Sequence, residues 1–223
     1  MKVGLVYTST TPELIALVEQ EVVAQLGEAV ERYSQQDPTI LADVRAAGYV
    51  PAAPAARLVG MYMKAVEAGC DAILNLCSSV GEVADSVQDL ARFIGVPIVR
   101  VDEEMCRDAV RKATTITVVA TLSSTLQPTR NTLLRVAREM GKRITLVDCL
   151  VDGAFGLNQD QFRARMAQSL ADVADQAELI LFAQGSMAYC EEYIAALYHK
   201  PVLSSPRFGA AALRAALAAK GCL

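Results

Sequence analysis

Short apolar runs recur along this chain, each cut off by hydroxyl, amide or glycine residues and each followed by a helical pattern. The clearest is Asp71-Ala72-Ile73-Leu74-Asn75-Leu76-Cys77-Ser78-Ser79-Val80-Gly81-Glu82, after which Val83 to Ile94 reads as a helix. Strand, polar turn and helix in alternation imply parallel sheets with right-handed crossovers. Folds of that kind bind ligands outside the carboxyl ends of their strands.

Other runs follow the same rule. Val3 to Tyr7 leads into Thr8-Ser9-Thr10-Thr11 and a helix over Pro12 to Leu26. Asp37 caps a helix to Ala47, Gly48 to Pro54 is a loop, and Ala55 to Ala68 is a helix with apolar residues at helical spacing. Ile116 to Ala120 runs into Thr121-Leu122-Ser123-Ser124-Thr125, with a helix from Arg130 to Met140. Ile144 to Val147 is a strand, Asp148 to Gln159 a loop with Gly153 and Gly156, and Asp160 to Asp175 a helix. Leu179 to Phe182 leads into Ala183-Gln184-Gly185-Ser186 and a helix from Tyr189 to Tyr198, and Gly209 to Lys220 is a last helix.

The two halves repeat. Gly4-Leu5-Val6-Tyr7-Thr8 matches Val118-Val119-Ala120-Thr121-Leu122, and Ala72-Ile73-Leu74-Asn75-Leu76-Cys77 matches Leu179-Ile180-Leu181-Phe182-Ala183-Gln184, at an offset of about 105–114 residues. The expectation is an α/β protein of two pseudo-symmetric lobes, each a small parallel flavodoxin-like sheet flanked by helices, with the active-site cleft between them. Residues 1–103 with 208–223 form the first lobe, because the last helix packs back on it, and 104–207 form the second.

Composition excludes several classes. Of 223 residues, 53% are hydrophobic and 21% charged, enough for a large core. The net charge of −4 has no basic block behind it, so no nucleic-acid partner is expected. No apolar run approaches the roughly 20 residues of a membrane span. The first residues lack the pattern of a signal peptide, so the expected compartment is the cytoplasm, with free thiols. The six cysteines form no CxxC pair and fit no zinc spacing, so no metal is expected. No Walker A, GxGxxG or GxSxG motif is present. The single histidine, His199, lies in a helix-to-strand connection and reads as a surface or capping residue.

Cys77 stands where a ligand would bind and next to a helix N-terminus, whose free N–H groups favour anions and lower a thiol pKa. It reads as a reactive thiol in an anion-binding pocket, against the ordinary alternative of a small buried hydrophobe. Glu82 and Asp85 suit the positive end of the following helix. Tyr189 reads as a helix-packing residue.

Four pieces together resemble the aspartate/glutamate racemase superfamily, closest to its hydantoin-racemase-like branch. They are the hydroxyl-rich turn after the first strand, Asn75-Leu76-Cys77-Ser78-Ser79, Ala120-Thr121-Leu122-Ser123-Ser124-Thr125, and the duplicated layout. The resemblance implies cofactor-independent proton transfer at the carbon next to a carboxylate or similar carbonyl of a small acid. In two-base members, one cysteine from each lobe works on opposite faces of that carbon. The developing enediolate needs strong stabilisation, because a thiol of pKa about 8.5 is deprotonating a far weaker carbon acid. The resemblance assigns that task, and substrate binding, to Ser9, Thr10, Asn75, Ser78, Ser79, Thr121, Ser123, Ser124, Thr125 and Gly185. It also makes a homo-oligomer an expectation.

The second lobe departs from the pattern. Cys77 lies six residues after Asp71, and six residues after Glu178 comes Gln184. Anchoring on Gly185 places Ser186 there instead, and Cys190 lies about one helical turn further on. The expected catalytic set is therefore Cys77 with Gln184 or Ser186 opposite. The expected function is a racemase or isomerase, with a single-cysteine decarboxylase or lyase of a malonate-type acid, or a non-catalytic small-acid binding protein, as alternatives.

Overall fold

In a computed structural model, residues 1–154 and 157–223 are described. The chain divides into two compact units, Met1–Val101 with Pro206–Leu223, and Asp102–Ser205.

The first unit carries a parallel four-stranded sheet of β1 (Lys2–Tyr7), β2 (Glu31–Gln36), β3 (Ala72–Asn75) and β4 (Ile98–Arg100), in the order β2-β1-β3-β4. Its helices are α1 (Pro12–Leu26), α2 (Pro38–Ala47), α3 (Ala52–Glu67), α4 (Gly81–Ser86), α5 (Gln88–Ile94) and α10 (Ser205–Lys220), whose first residue belongs to the other unit. Both sheet faces are covered, which is why β1 and β3 are apolar along their length. Val3, Leu5, Tyr7 and Leu74 pack with Val18 and Val22 of α1 and Leu213 and Leu217 of α10. Val6, Ile73 and Ile98 pack on the other face with Ile40, Leu58, Tyr62 and Ala65. Thr11 caps α1 by accepting from Leu14 N, and Asp37 caps α2 by accepting from Thr39 N at 3.0 Å.

The second unit repeats this plan with β5 (Thr115–Ala120), β6 (Thr145–Leu150), β7 (Leu179–Phe182) and β8 (Val202–Leu203), ordered β6-β5-β7-β8 and parallel. It carries α6 (Glu103–Lys112), α7 (Ser123–Glu139), α8 (Gln159–Leu170) and α9 (Glu191–Tyr198). Val119, Ile180 and Phe182 pack with Phe162, Met166 and Ile194. A carboxylate ties down the start of the inner strand in each unit. Asp71 Oδ2 accepts from Lys2 N at 2.8 Å, and Glu178 Oε2 accepts from Thr114 N at 2.6 Å and Thr115 N at 3.3 Å.

Several element bounds differ from the sequence reading. The helix expected over Val83 to Ile94 is two helices, preceded by a 3₁₀ turn at Ser78–Val80. Side chains break it: Ser86 Oγ donates to Val83 O, and Gln88 Nε2 donates to both Ala84 O and Ile98 O. Helix α7 begins at Ser123, well before Arg130, and continues through Pro128, with Thr129 Oγ1 and Thr132 Oγ1 bonded to the carbonyls four residues back. Strand β6 runs on to Leu150, shortening the expected loop, of which Gly156 lies outside the described residues. Helix α8 stops at Leu170, and a 3₁₀ turn at Gly185–Cys190 precedes α9. Strand β2 is polar and exposed, as suits a sheet edge, and offers no apolar run to read.

Candidate active site

The first unit's site forms where β1 and β3 end side by side. Leu76 N donates to Val6 O at 2.9 Å, so the two chains stay paired one residue beyond β3. Thr8 and Cys77 follow at the ends. Cys77 is half-buried and extended (φ −144°, ψ 114°), and it starts the 3₁₀ turn Ser78–Val80. Asn75, Ser78 and Ser79 are buried beside it.

Burial pushes the Cys77 thiol above its ordinary range. Opposing this, the Thr8 hydroxyl, the N–H groups of Ser79 and Val80 and the Ser79 hydroxyl all favour the thiolate. The expectation of a lowered pKa is thereby corrected. A short 3₁₀ turn supplies N–H donors, but withdrawal of the sulfur from water outweighs them. Thr8 Oγ1 is fully buried and has no hydrogen-bond partner among the described residues, and its hydroxyl lies where it favours the thiolate.

Asn75 is held inside the protein. Its Oδ1 accepts from Tyr62 Oη at 3.1 Å, and its Nδ2 donates to Cys77 O at 3.1 Å. Behind the turn, buried Arg100 of β4 donates to Asp85 Oδ2 at 2.6 Å. Asp85 therefore answers a buried cation, which corrects its reading as a helix-end charge. Glu82 is exposed in the first turn of α4. Ser9 and Thr10 are half-buried beyond Thr8, with Thr10 Oγ1 donating to Thr11 O at 3.1 Å.

The second unit has the same geometry with different chemistry. Ala183 N donates to Val119 O at 2.9 Å, matching Leu76 and Val6. Thr121 then stands at the position of Thr8, and Gln184 at that of Cys77, so the expected pairing of Thr8 with Leu122 is out by one residue, because apolar runs fix a strand but not its register. Thr121 N and Oγ1 both donate to Gln184 Oε1, at 2.7 and 3.0 Å, and Gln184 Nε2 lies 2.8 Å from Thr121 Oγ1. The register makes Gln184, not Ser186, the counterpart of the thiol. Ser186 is exposed and Gly185 half-buried in the following 3₁₀ turn. Ser123, Ser124 and Thr125 form the first turn of α7, with Ser124 and Thr125 buried.

Cys190 is fully buried in the second unit's core, and burial raises its pKa despite Tyr189 and Arg163 beside it. The Tyr189 ring packs 5.8 Å from Phe162. His199 is exposed and ends α9 in the left-handed conformation. Among the described residues, no three His, Cys, Asp or Glu side chains gather to hold a metal, and no helix is long and apolar enough to cross a membrane. A groove of about 430 Å³ lies in the second unit at the opposite strand ends, lined in part by Lys112, Lys142, Arg143 and Glu178. Lys142 Nζ donates to Val110 O and Arg111 O there, the ordinary use of cations at the end of a helix such as α6.

Thr8, Tyr62, Gly81 and Arg100 are the residues that sequence reasoning missed. Arg100 had a signal: an arginine inside the apolar run Ile98-Val99-Arg100-Val101 needs a buried partner.

Compared by sequence with curated proteins, the chain has no match. Among solved structures it is similar to an allantoin racemase from Klebsiella pneumoniae, with 19% identity, a TM-score of 0.66, and coverage of 99% of this chain and 89% of that one. It is similar to glutamate racemase RacE1 from Bacillus anthracis, with 16% identity, a TM-score of 0.74, and coverage of 99% and 83%. A maleate isomerase from Pseudomonas putida S16 shares the fold at 16% identity and a TM-score of 0.59, covering 98% and 92%. The family model described as Asp/Glu/Hydantoin racemase matches residues 3–213, and with nearly the whole chain matched, this protein belongs to that family.

Proposed function

We propose that this protein is a cofactor-independent racemase or isomerase that moves a proton at the carbon next to a carboxylate or carbonyl of a small acid, with Cys77 as acid–base group. The observation that carries this reading is the thiol's setting. Cys77 sits at the carboxyl end of an inner strand, where burial raises its pKa and the Thr8 hydroxyl and the backbone of Ser79 and Val80 oppose that rise. In the forward step, the thiolate takes the α-proton and the C–H electron pair moves into the enediolate. Return of a proton to that carbon completes the exchange. Hydroxyl and N–H donors around the enediolate lower the barrier. Ser9, Thr10, Ser78, Ser79, Ser123, Ser124 and Thr125 are the proposed donors. Asn75 supports them by holding the turn. In the second unit, Gln184 with Thr121, Gly185 and Ser186 are proposed to hold the acid through their N–H and hydroxyl donors, and the proton returned to carbon comes from the Cys77 thiol after exchange with solvent.

The test is incubation in deuterated water with a panel of hydantoins, allantoin, aspartate, glutamate and maleate, followed by mass and chiral analysis. Wild type is expected to incorporate solvent deuterium at the α-carbon of at least one, and Cys77→Ala to lose this by about 10²-fold or more. Activity that survives Cys77→Ala sinks the proposal. Binding without exchange by any compound would identify a small-acid binding protein instead.

A second reading is favoured by two observations: the raised thiol pKa, which keeps Cys77 protonated, and the amide at the register-equivalent position. It is decarboxylation of a malonate-type acid. The C–C bond breaks, carbon dioxide leaves, its bonding pair stays on the carbon as an enediolate, and the Cys77 S–H protonates it. Carbon dioxide release from an arylmalonate without α-exchange of the product would select this reading.

A further inference from the structure

The buried network behind the thiol has a role that burial alone does not explain. Tyr62 on α3 is fully buried, yet its hydroxyl is spent on one neutral partner, Asn75 Oδ1 at 3.1 Å. That bond fixes which end of the Asn75 amide faces which way. With Oδ1 turned to Tyr62, Nδ2 is left to donate to Cys77 O at 3.1 Å. The Cys77 carbonyl begins the 3₁₀ turn and accepts from Val80 N at 3.4 Å, so its direction helps fix the turn that follows the thiol.

We propose that Tyr62 is a positioning residue for Cys77, acting through Asn75 to hold the Cys77 carbonyl and the 78–80 turn that starts on it. The relay gains meaning from the proposed role of Cys77, but it stands or falls on the thiol's titration and not on turnover. Its chemistry is consistent across working pH. Burial holds the Tyr62 phenol protonated well above the ordinary tyrosine range, helped by the nearby Cys77 and Asp85 and opposed by Arg100. Tyr62 is thus always a donor, and Asn75 never loses the bond that orients it. A hydrocarbon in place of Tyr62 would fill the same space and leave Asn75 Oδ1 buried without a partner.

The experiment is the pH dependence of iodoacetamide alkylation at Cys77, read by peptide mass mapping in a Cys222→Ser background. The other four cysteines are buried. Tyr62→Phe removes one oxygen. The backbone of Ser79 and Val80 favours the thiolate, so shifting the turn away from the sulfur is expected to raise the alkylation midpoint by about half a unit, or about threefold less reaction at pH 7. Asn75→Ala, which keeps Tyr62 but cuts the link, is expected to shift it the same way. Tyr198→Phe is the control: it removes a tyrosine hydroxyl bonded to Ala167 O at 2.5 Å in the second unit and is expected to leave the midpoint alone. A merely structural loosening would admit water and lower the midpoint. An unchanged or lowered midpoint in Tyr62→Phe, or a shift there without one in Asn75→Ala, overturns the relay. If Cys77→Ala kept its activity while Tyr62→Phe raised the midpoint, the proposed reaction would fall and the relay would stand.

Discussion

The Arg100 guanidinium lies flat against Gly81, so close that a Cβ on that glycine would fall 2.4 Å from Arg100 Cζ. Gly81 has ordinary helical angles (φ −58°, ψ −32°), so space and not backbone freedom requires it. Gly81→Ala must push a buried cation off Asp85. It is expected to lose about 1–3 kcal/mol of stability in urea unfolding, whereas alanine in an unobstructed helix position would stabilise. Unchanged stability would mean that Arg100 leaves its pocket freely.

Thr8→Val separates stability from chemistry. It removes a buried hydroxyl that bonds to no nitrogen or oxygen, and it nearly conserves shape. Stability is expected to hold or rise by up to about 1 kcal/mol, because a buried unsatisfied group is lost. The Cys77 alkylation midpoint is expected to rise, since Thr8 is the first of the groups holding that thiol down. Urea unfolding and alkylation of the same sample check both arms.

Gln184→Ala tests whether the second turn is structural or chemical. Its side chain accepts from both the N–H and the hydroxyl of Thr121. Removing it leaves the Thr121 N–H without that partner and is expected to cost about 1–3 kcal/mol. If deuterium exchange falls by much more than the loss of folded protein, Gln184 also touches the substrate. If the two fall together, its part is to hold the turn.

Alkaline pH is expected to weaken the second unit through Cys149. Burial pushes this thiol up to about 11, and its Sγ donates to Ser169 O at 3.5 Å. The folded state therefore prefers the protonated form. That stability is complete below the unfolded thiol's pKa of about 8.5 and falls as pH rises toward 11, by on the order of 3 kcal/mol. Urea midpoints measured from pH 7 to 11 should drop less steeply for Cys149→Ala than for wild type.

The strands whose faces are both covered were legible, because burial on two sides writes a continuous apolar run, as in Ala72-Ile73-Leu74 and Leu179-Ile180-Leu181. Strand β2 was not, since an edge exposes Glu31 and Arg32 and shows no such run. The helix expected from Arg130 in fact passes through Pro128, where threonine hydroxyls bond the nearby carbonyls. Cys77 stood out by residue type. The groups that tune it did not: Thr8 was one of four hydroxyls in a row, and Tyr62 looked like any apolar residue at helical spacing. Their roles come from β1, α3 and β3 meeting in space, which one-dimensional spacing does not record. The thiol's raised pKa was misjudged for the same reason, because a dipole can be read from a helix start and dehydration cannot.

The first unit contains α10, which follows the whole of the second in sequence. Leu213 and Leu217 complete one face of its core, Arg214 donates to Gln25 O at 2.6 Å, and Lys220 to Asp71 O at 2.8 Å. During synthesis, residues 1–101 must therefore wait with an apolar face uncovered while some hundred further residues emerge. Asp102–Ser205, continuous in sequence, can close as soon as it leaves the ribosome. The half that carries Cys77 is thus the last to be finished, and a nascent chain cut short before α10 would display the thiol turn on an incomplete scaffold.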